Sequence, residues 1–505
     1  MRSVVIFARL LPFVLSFVRD QRRWLVAGAP PVRTPEFHRR RAERFVAVLA
    51  ALGPTFVKLA QIFAARADLV PEPYLSALGT LTDQVPPVPI EAVERVIAES
   101  YGGATVDALF ERFDRTPLAA ASLGQVHRAR HNGEEVVVKV LRPGVEALVA
   151  SDVRAAQRIL EPLARRWPNR HVVALRTVVA EFGNRVFDEM DFRKEAAHAA
   201  AIRRNFAGRS NIVVPRVMDD MTRQHVLVLE FMEGRRIDAL GSWIAERQVD
   251  PRAVIRTVME LYIQMMLVDG LFHADPHPGN LLVSPRGQLI VLDFGMVVRV
   301  PRETRLELVN TVFAAIRKDV ERIIRGFQAL GVIEANAELD PIRELAHQLL
   351  ALAEIRATVP EKLEMLLTDE IMQALYDAPV TLPSDMVYFA RTAALIEGLG
   401  TRYDPYFNAV DFATPIALRM HGRIMASLRG DQPSVAGTRR DDWAAALGGF
   451  LGTVAGAFVR GAREMAAAFA EAQLDTRRTG RVLPPPAPDV EEVKAERRLA
   501  LPAAT

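Results

Sequence analysis

The period of the apolar residues changes along the chain, and each change marks a different kind of element. Residues 37–67 repeat apolar positions every three to four residues and predict two helices broken at Gly53-Pro54. From about residue 105 to residue 145 the pattern becomes strand, turn, strand. Asn132-Gly133 is typical of a hairpin turn, and residues 136–140 are a β-branched run that contains one charge.

Two further patterns extend this picture. HVLVLEFMEG, residues 225–234, predicts a buried strand that ends in a glycine turn. Residues 252–272 and 303–430 carry helical periodicity. The sequence therefore predicts an α+β fold in which a strand-rich lobe precedes a mainly helical lobe.

Composition adds limits on the chemistry and the location. The chain has 505 residues, enough for two to four domains, and it has no cysteine, which excludes disulfides and a cysteine-rich metal site and fits a reducing cytoplasm. The formal net charge is only +3, yet residues 1–45 hold ten Arg and three acidic residues. This basic end predicts contact with an anionic surface, and a membrane is favoured over a nucleic acid.

The apolar stretch near the N-terminus is short for a membrane span. Residues 4–18 have the sequence VVIFARLLPFVLSFV, which Arg9 and Pro12 interrupt. A spanning helix needs about 20 apolar residues, so we expect an interfacial segment or a buried helix. A cleaved signal peptide is a less favoured interpretation.

A second apolar run lies near the C-terminus. In residues 443–459, which carry no charge, Gly448, Gly452 and Gly456 have the spacing of helices that pack closely in lipid. A single crossing would export the Arg residues that follow, against the positive-inside rule, so a membrane-associated or dimer-packing helical pair is favoured over a true span. Residues 476–505 predict a disordered tail.

The strongest chemical signal is HADPHPGN, residues 273–280, which a DFG follows at residues 293–295. Two short apolar runs on either side of a turn predict a hairpin whose open end brings Asn280 close to Asp293. Oxygen-bearing side chains suit Mg²⁺, and in kinases an Asp five residues before an Asn accepts the substrate proton while the Asn and the DFG Asp hold metal. With Asp275 in the first of these positions, the pattern predicts phosphoryl transfer.

Lys139 is the one charge in the run VVVKV. Only six of the 64 basic residues are Lys, which suggests a place that needs a compact point charge. A surface or edge position is one interpretation, and a nucleotide cleft, where a strand Lys grips phosphates and a helix Glu orients it, is the other. Glu195 is the helix candidate, and its distance along the chain predicts an extra helix around residues 146–166.

Other candidate positions surround this pair. Glu189, Asp191 and Glu195 are predicted to lie roughly on one side of a helix, with solvated carboxylates as the alternative. The strand at residues 225–234 has the position of an inter-lobe hinge, whose backbone at Glu230 and Met232 would hydrogen-bond adenine.

The glycine-rich loop G-x-G-x-x-G does not precede Lys139. AAASLGQVH, residues 119–127, takes its place. Alanine resists the positive φ values that glycine adopts, so we expect a stiffer loop that approaches phosphates differently and hinders transfer to a bulky protein substrate.

Together AAASLGQVH, the VVVK strand, DEMDF with the following KEA, HADPHPGN and LDFG resemble the UbiB/aarF family of atypical kinases, also called the ADCK family, from about residue 37 to residue 410. The resemblance implies a two-lobed kinase-like fold with a helical extension over the active site, and it implies ATP and Mg²⁺ as cofactors. It implies the following roles: an ion pair of Lys139 with Glu195, a catalytic-loop Asp275, metal ligands Asn280 and Asp293, and a nucleotide loop of Ala119, Ala120, Ala121 and Ser122.

The family motif K-x-G-Q maps to Lys58-Leu59-Ala60-Gln61, with Ala60 in place of the glycine. By the resemblance, Lys58 and Gln61 share a helix face and reach the carboxylates of Glu189 and Asp191, and this helix fills the usual protein-substrate site. The chemical residues are kept, so we expect the occlusion to be kept as well. The packing of this helix around Ala60 is the point that the sequence leaves open.

The resemblance further implies ATP use closer to hydrolysis than to protein phosphorylation, at the cytoplasmic face of a membrane, in support of isoprenoid quinone biosynthesis or lipid handling. The expected partners are membrane lipids or quinone precursors, quinone-biosynthesis proteins and a second copy of the chain, but no nucleic acid. A kinase for a small molecule or a protein is one alternative, and a nucleotide-responsive scaffold without turnover is another. The predicted units are a membrane-proximal segment (1–36), the helical extension (37–104), the first lobe (105–234), the helical lobe (235–435), a Gly/Ala-rich segment (436–475) and the tail (476–505).

Overall fold

The computed structural model describes residues 2–21, 34–64, 73–81, 85–166, 170–334, 336–354, 384–404 and 409–429, together with residues 70 and 407. The Gly/Ala-rich segment and the tail predicted for the C-terminus lie outside the described residues. Among the described helices, none is long and apolar enough to cross a membrane.

Six helices of the described residues precede the first strand. They are α1 (Arg2–Gln21), α2 (Pro35–Leu52), α3 (Pro54–Ala64), α4 (Tyr74–Gly79), α5 (Ile90–Ser100) and α6 (Val106–Leu109). The predicted break between α2 and α3 is confirmed: Gly53 has a φ of 104°, which glycine adopts without strain, and Pro54 begins the next helix. At the other end of α2 the hydroxyl of Thr34 accepts a hydrogen bond from the backbone N–H of Phe37 and caps the helix.

The first lobe is built on an antiparallel sheet. Its strands are β1 (Arg112–Phe113), β2 (Ala119–Ala120), β3 (Gly124–His131), β4 (Glu134–Leu141) and, after the short β5 (Ile212–Val213), β6 (Val226–Glu230). The order is β1-β3-β4-β6, with β2 added to β3. The predicted hairpin between β3 and β4 is confirmed, because Asn132 and Gly133 both have positive φ, as a tight hairpin turn requires.

Three long helices separate β4 from β5, namely α7 (Val145–Arg166), α8 (Arg170–Glu189) and α9 (Phe192–Asn205). The sequence predicted one extra helix before the helix of Glu195, and the structure has two. The expectation that Glu189, Asp191 and Glu195 share one helix is wrong, because α8 ends at Glu189 and Asp191 is the N-cap of α9. Inside the pair, Gly183 lets α8 approach α7 closely, since an added Cβ would lie 2.8 Å from Val153 Cγ1.

The second lobe is mainly helical, as predicted. It contains β7 (Arg235–Arg236), α10 (Gly241–Ala245), α11 (Pro251–Ile263), a π-helical segment (Gln264–Asp269), β8 (Leu271–His273), β9 (Leu281–Val283), β10 (Leu289–Val291) and β11 (Val297–Arg299), followed by α12 (Arg302–Ile316), α13 (Val320–Ala329), α14 (Leu339–Glu354), α15 (Ser384–Tyr403) and α16 (Ala409–Arg429). One small sheet has the order β5-β10-β9-β7 and another pairs β8 with β11. One hydrophobic core continues from the first lobe to the second and includes Phe192, Tyr262 and Phe272. The molecule therefore has the predicted α+β, two-lobed fold.

Candidate active site

The hairpin of β9 and β10 positions two of the predicted metal ligands. Leu281 pairs with Val291, and the N–H of Leu292 donates to the carbonyl of Asn280 at 2.8 Å. Asn280 and Asp293 therefore lie at the same open end, as the turn pattern predicted. The side-chain amide of Asn280 also donates to Asp275 Oδ2 at 3.0 Å. This bond holds the catalytic-loop carboxylate in place.

Asp293 is held by its own backbone and by a buried histidine. It has a φ of 57°, and its Oδ1 accepts the N–H of Gly295 at 3.0 Å. His273, fully buried on β8, places Nε2 2.6 Å from the carbonyl oxygen of Asp293. No role was predicted for His273 beyond its place in HADPHPGN. Its signal was its position two residues before Asp275 at the end of an apolar run.

Lys139 lies in the cleft between the lobes. Its strand, β4, is an interior strand of the sheet, so the edge interpretation is wrong. The ammonium lies 2.8 and 2.9 Å from the two carboxylate oxygens of Glu195 and 3.6 Å from Asp293 Oδ2. Burial would lower the pKa of Lys139, but the charges of Asp293 and Glu195 outweigh burial and raise it. The residue is therefore a fixed cation at neutral pH.

Asp293 is correspondingly a fixed anion. Burial opposes its ionisation, but the positive charges of Lys139 and Lys58 outweigh that effect and lower the pKa to about 2. Its side chain keeps 46% of its surface exposed, unlike Glu195, of which 3% is exposed. Asp293 therefore presents an ionised oxygen to the cleft. Both carboxylate oxygens of Glu195 instead accept hydrogen bonds from Lys139.

Helix α3 brings Lys58 to the same place. Its ammonium lies 2.9 Å from Glu189 Oε2, and both side chains are largely buried. Gln61, one turn further along α3, is half-buried. Ala60 is buried among Leu52, Phe56 and Ala155, so the methyl group that replaces the family glycine is accommodated in the core of the extension.

Asp191 does not make the contact that was expected of it. Its carboxylate accepts the backbone N–H of Arg193 at 3.1 Å and pairs with the guanidinium of that residue at 2.8 Å. It is the N-cap of α9, whereas Glu189 is the carboxylate that pairs with Lys58 on α3. The signal for this role was present in the sequence, since an Asp just before a helical run is a common N-cap.

The alanine-rich loop is tied down at both sides. The N–H of Ala121 donates to the carbonyl of Gly124 at 2.8 Å, and its own carbonyl accepts a hydrogen bond from Arg142 Nε at 2.8 Å. Arg142 also donates to the carbonyl of Pro86 at 2.9 Å. Ala119 and Ala120 form β2, and Ser122 is buried. The loop is thus braced against the segment that leads into α5.

The hinge residues are only partly available to a nucleotide. The N–H of Glu230 donates to the carbonyl of Arg216 at 2.9 Å, and its carboxylate accepts the N–H of Arg216 at 3.1 Å. An adenine contact at residue 230 would therefore fall to the carbonyl oxygen. The Glu230 side chain lines a separate cavity of about 990 Å³ between the end of α9 and β5, away from the lysine and carboxylate cluster. Met232 is half-buried just beyond β6.

Comparison with known proteins decides the family. Residues 80–326 match the model of the ABC1 atypical kinase-like domain. The uncharacterized protein sll1770 of Synechocystis is 34% identical over 86% of this chain and 73% of its own length. ACTIVITY OF BC1 COMPLEX KINASE 8, a chloroplastic protein of Arabidopsis thaliana, is 33% identical over 73% of this chain and 52% of its own length. The chain belongs to the ABC1 family of atypical kinases, also named UbiB or ADCK.

A solved structure is similar to this chain in fold. The structure titled as the complex of Rv3197 with erythromycin, from Mycobacterium tuberculosis, is 27% identical to this chain, with a TM-score of 0.52. The match covers 75% of this chain and 98% of the other. The fold described above is therefore shared, over three quarters of this chain, with a solved structure.

The donor set of this ABC1 kinase domain fits Mg²⁺. Asn280 uses its side-chain N–H groups on Asp275, which leaves the amide oxygen as a ligand, and Asp293 adds an ionised carboxylate. Both donors are hard oxygens, which Mg²⁺ prefers. The charges that act on one another in the cleft are Lys58, Lys139, Glu189, Glu195, Asp275 and Asp293. The carboxylates outnumber the lysines in this cluster, and a divalent cation would reduce their mutual repulsion.

Proposed function

We propose that this ABC1 kinase is a Mg²⁺-dependent ATP-using phosphotransferase or ATPase that acts at the cytoplasmic face of a membrane in support of isoprenoid quinone biosynthesis or lipid handling. The observation that carries the ATP chemistry is the position of the Lys139 ammonium in the interlobe cleft, 2.8 Å from Glu195 and 3.6 Å from Asp293. The ABC1 relatives and the basic N-terminus support the rest of the proposal.

Each residue of the cleft has a separate task in this proposal. Lys139, oriented by Glu195, binds phosphate oxygens as a permanent cation. Asp275, held by the Asn280 amide, accepts the proton of the attacking water or hydroxyl. Bound Mg²⁺ would neutralise the phosphate charge, with Asn280 and Asp293 as its protein ligands.

Hydrolysis or transfer to a small acceptor is favoured over transfer to a protein. Lys58 extends from α3 into the cleft and is bound to Glu189. Burial, together with the charges of Asp293 and Asp275, raises the pKa of the Glu189 carboxyl. A helix in this place occupies space that a protein substrate would need. Water or a small hydroxyl compound needs much less room.

The direct test is ATP hydrolysis by the purified full-length protein with and without Mg²⁺ and anionic vesicles. Asp293→Asn should lower turnover roughly 100-fold or more, since it removes an ionised ligand from the transition state. Asp319→Asn is the matched control, because Asp319 is a helix cap of α13 in the second lobe. Equal turnover by wild type and Asp293→Asn would refute the ATP chemistry, and nucleotide binding without turnover would favour the scaffold alternative.

The cellular role needs a test of its own. We expect a strain that lacks this protein to contain less isoprenoid quinone and to regain it with the wild-type gene but not with the Asp293→Asn gene. Unchanged quinone content, with an altered lipid profile, would restrict the role to lipid handling.

A further inference from the structure

Exposed apolar side chains concentrate on one helix. Among the described residues, eight large apolar side chains are exposed, and five of them belong to α1: Val4, Val5, Phe7, Val14 and Leu15. Val4, Phe7, Val14 and Leu15 follow the three-to-four-residue spacing of one helix face. Clustering of exposed apolar side chains on one protein surface indicates an interaction site.

The opposite face of α1 fixes its orientation. Arg2 binds the carboxylate of Asp152 on α7 at 2.6 and 2.9 Å and also donates to the carbonyl of Leu52. Ile6 is fully buried in the core of the extension, beside Leu49 and Phe56. The helix is therefore docked by one face, and the apolar face described above is the one directed outward.

The charges of α1 have one sign for most of its length. From residue 2 to residue 19 it contains Arg2, Arg9 and Arg19 and no Asp or Glu, and Arg22 and Arg23 follow in the sequence. Arg9 is exposed and donates to the carbonyl of Ala51 at 3.3 Å, a neutral partner that does not compensate its charge. An exposed apolar face on a helix whose charges from residue 2 to residue 19 are all arginines complements an anionic lipid surface.

We propose that the outer face of α1, formed by Val4, Phe7, Val14 and Leu15, lies in the interface of an anionic bilayer, with the helix axis parallel to the membrane. A helix of 20 residues gives a contact about 30 Å long. This face of α1 would be the membrane contact of the proposed function, and its role in the cell rests on that function. The binding itself can be measured without any catalysis.

The test is flotation of the full-length protein with phosphatidylcholine vesicles, prepared with or without phosphatidylglycerol. The variant Phe7→Glu/Leu15→Glu puts charges on two exposed positions, and we expect vesicle affinity to fall by about tenfold or more. Leu306→Glu is the matched control, because Leu306 is 42% exposed and Phe7 is 46% exposed, and it should bind within about twofold of wild type.

A second variant examines the charge separately. Arg9→Gln should weaken binding to vesicles that contain phosphatidylglycerol and leave binding to neutral vesicles unchanged. Equal thermal midpoints of wild type and variants show that the fold is intact.

Two results would overturn the proposal. In the first, Phe7→Glu/Leu15→Glu binds vesicles as wild type does. In the second, wild type does not bind vesicles and the double variant changes from dimer to monomer in sedimentation, which assigns the face to a second copy. ATP hydrolysis by wild type without vesicles reports on the proposed function separately, so either idea can fail alone.

Discussion

An ion pair of Lys58 and Glu189 joins α3 of the N-terminal extension to the end of α8. Both side chains keep less than a fifth of their surface exposed, at 16% and 12%. Burial raises the pKa of Glu189, and the charge of Lys58 opposes that rise. Removal of the lysine would therefore leave a carboxylate that is costly to ionise.

We predict that Lys58→Met lowers the free energy of unfolding by about 1–3 kcal/mol and that Glu189→Gln in the same chain restores part of it. The loss should be larger at pH 8 than at pH 5, because without Lys58 the folded protein must ionise a buried carboxyl that the unfolded chain ionises freely. A double-mutant cycle in urea measures the coupling. Strict additivity of the two changes would show that the pair contributes no stability.

Asp269, in the π-helical segment, gives a second pH-dependent prediction. Burial raises the pKa of Asp269 to about 6, although Gln264 and three arginines oppose the rise. Between about pH 4 and pH 6 the folded protein keeps a proton that the unfolded chain has released, so this group lowers stability as the pH rises through that window.

Asp269→Asn should therefore stabilise the protein at pH 7 by up to about 3 kcal/mol and change little at pH 4. Thermal melts at the two pH values provide the measurement. A variant that is less stable than wild type at pH 7 would show that the arginine contacts outweigh burial.

The sequence predicted residues of the cleft well where a short motif carried them. Asp275, Asn280 and Asp293 lie within one local segment, so turn and strand patterns were enough to bring them together. Asp191 was harder, because a carboxylate before a helix can serve either as a cap or as a long-range partner. Its own neighbour, Arg193, decided the outcome.

At the scale of elements, α3 carries a departure from the family motif, with Ala60 in place of the glycine. Ala60 is 1% exposed and lies in the same buried cluster as Ala155 of α7, two residues from Lys58 along α3. The family glycine would remove a buried methyl group and add backbone freedom at mid-helix.

Ala60→Gly should lower the free energy of unfolding by about 1–2 kcal/mol. If the helix also becomes looser over the cleft, ATP affinity will change, and calorimetric titration with Mg²⁺-ATP measures it. Ala92→Gly on α5 is a comparison from another helix of the extension. Equal losses of stability and no change in affinity would show that position 60 has no special influence on the cleft.

Strands and turns with strong local signals were predicted correctly, while the inserted helices were undercounted. The Asn132-Gly133 hairpin and the Gly53-Pro54 break are set by backbone preferences of those residues. The division between α7 and α8 depends on packing between helices, including the close approach at Gly183, and no local pattern revealed it. The π-helical segment likewise follows α11 without a change in apolar periodicity.

At the scale of the whole molecule, contacts far apart in sequence join the two lobes. Arg185 on α8 donates to the hydroxyl of Tyr388 on α15 at 2.5 Å, and Gln264 donates to the carbonyl of Asn205 at 2.9 Å. Lys139 and Asp293 face one another across the cleft.

Arg185→Met should weaken the closed arrangement and raise the KM for ATP severalfold, with a smaller change in kcat, because it removes a contact between lobes and none of the chemical groups. Steady-state kinetics with Tyr388→Phe as a companion variant measures this effect. An unchanged KM in both variants would show that lobe closure does not depend on this bridge.

Two buried carboxylates of the inserted helices, Asp152 and Glu189, receive their counter-charges from Arg2 and Lys58. Both of these cations precede the segment that matches the ABC1 kinase domain. The family match therefore ends short of a unit that is complete in its charges. A gene fusion that took residues 80–326 alone would contain two buried carboxylates without their cationic partners. A transferred copy of this catalytic unit would need the N-terminal helices α1 and α3 as well.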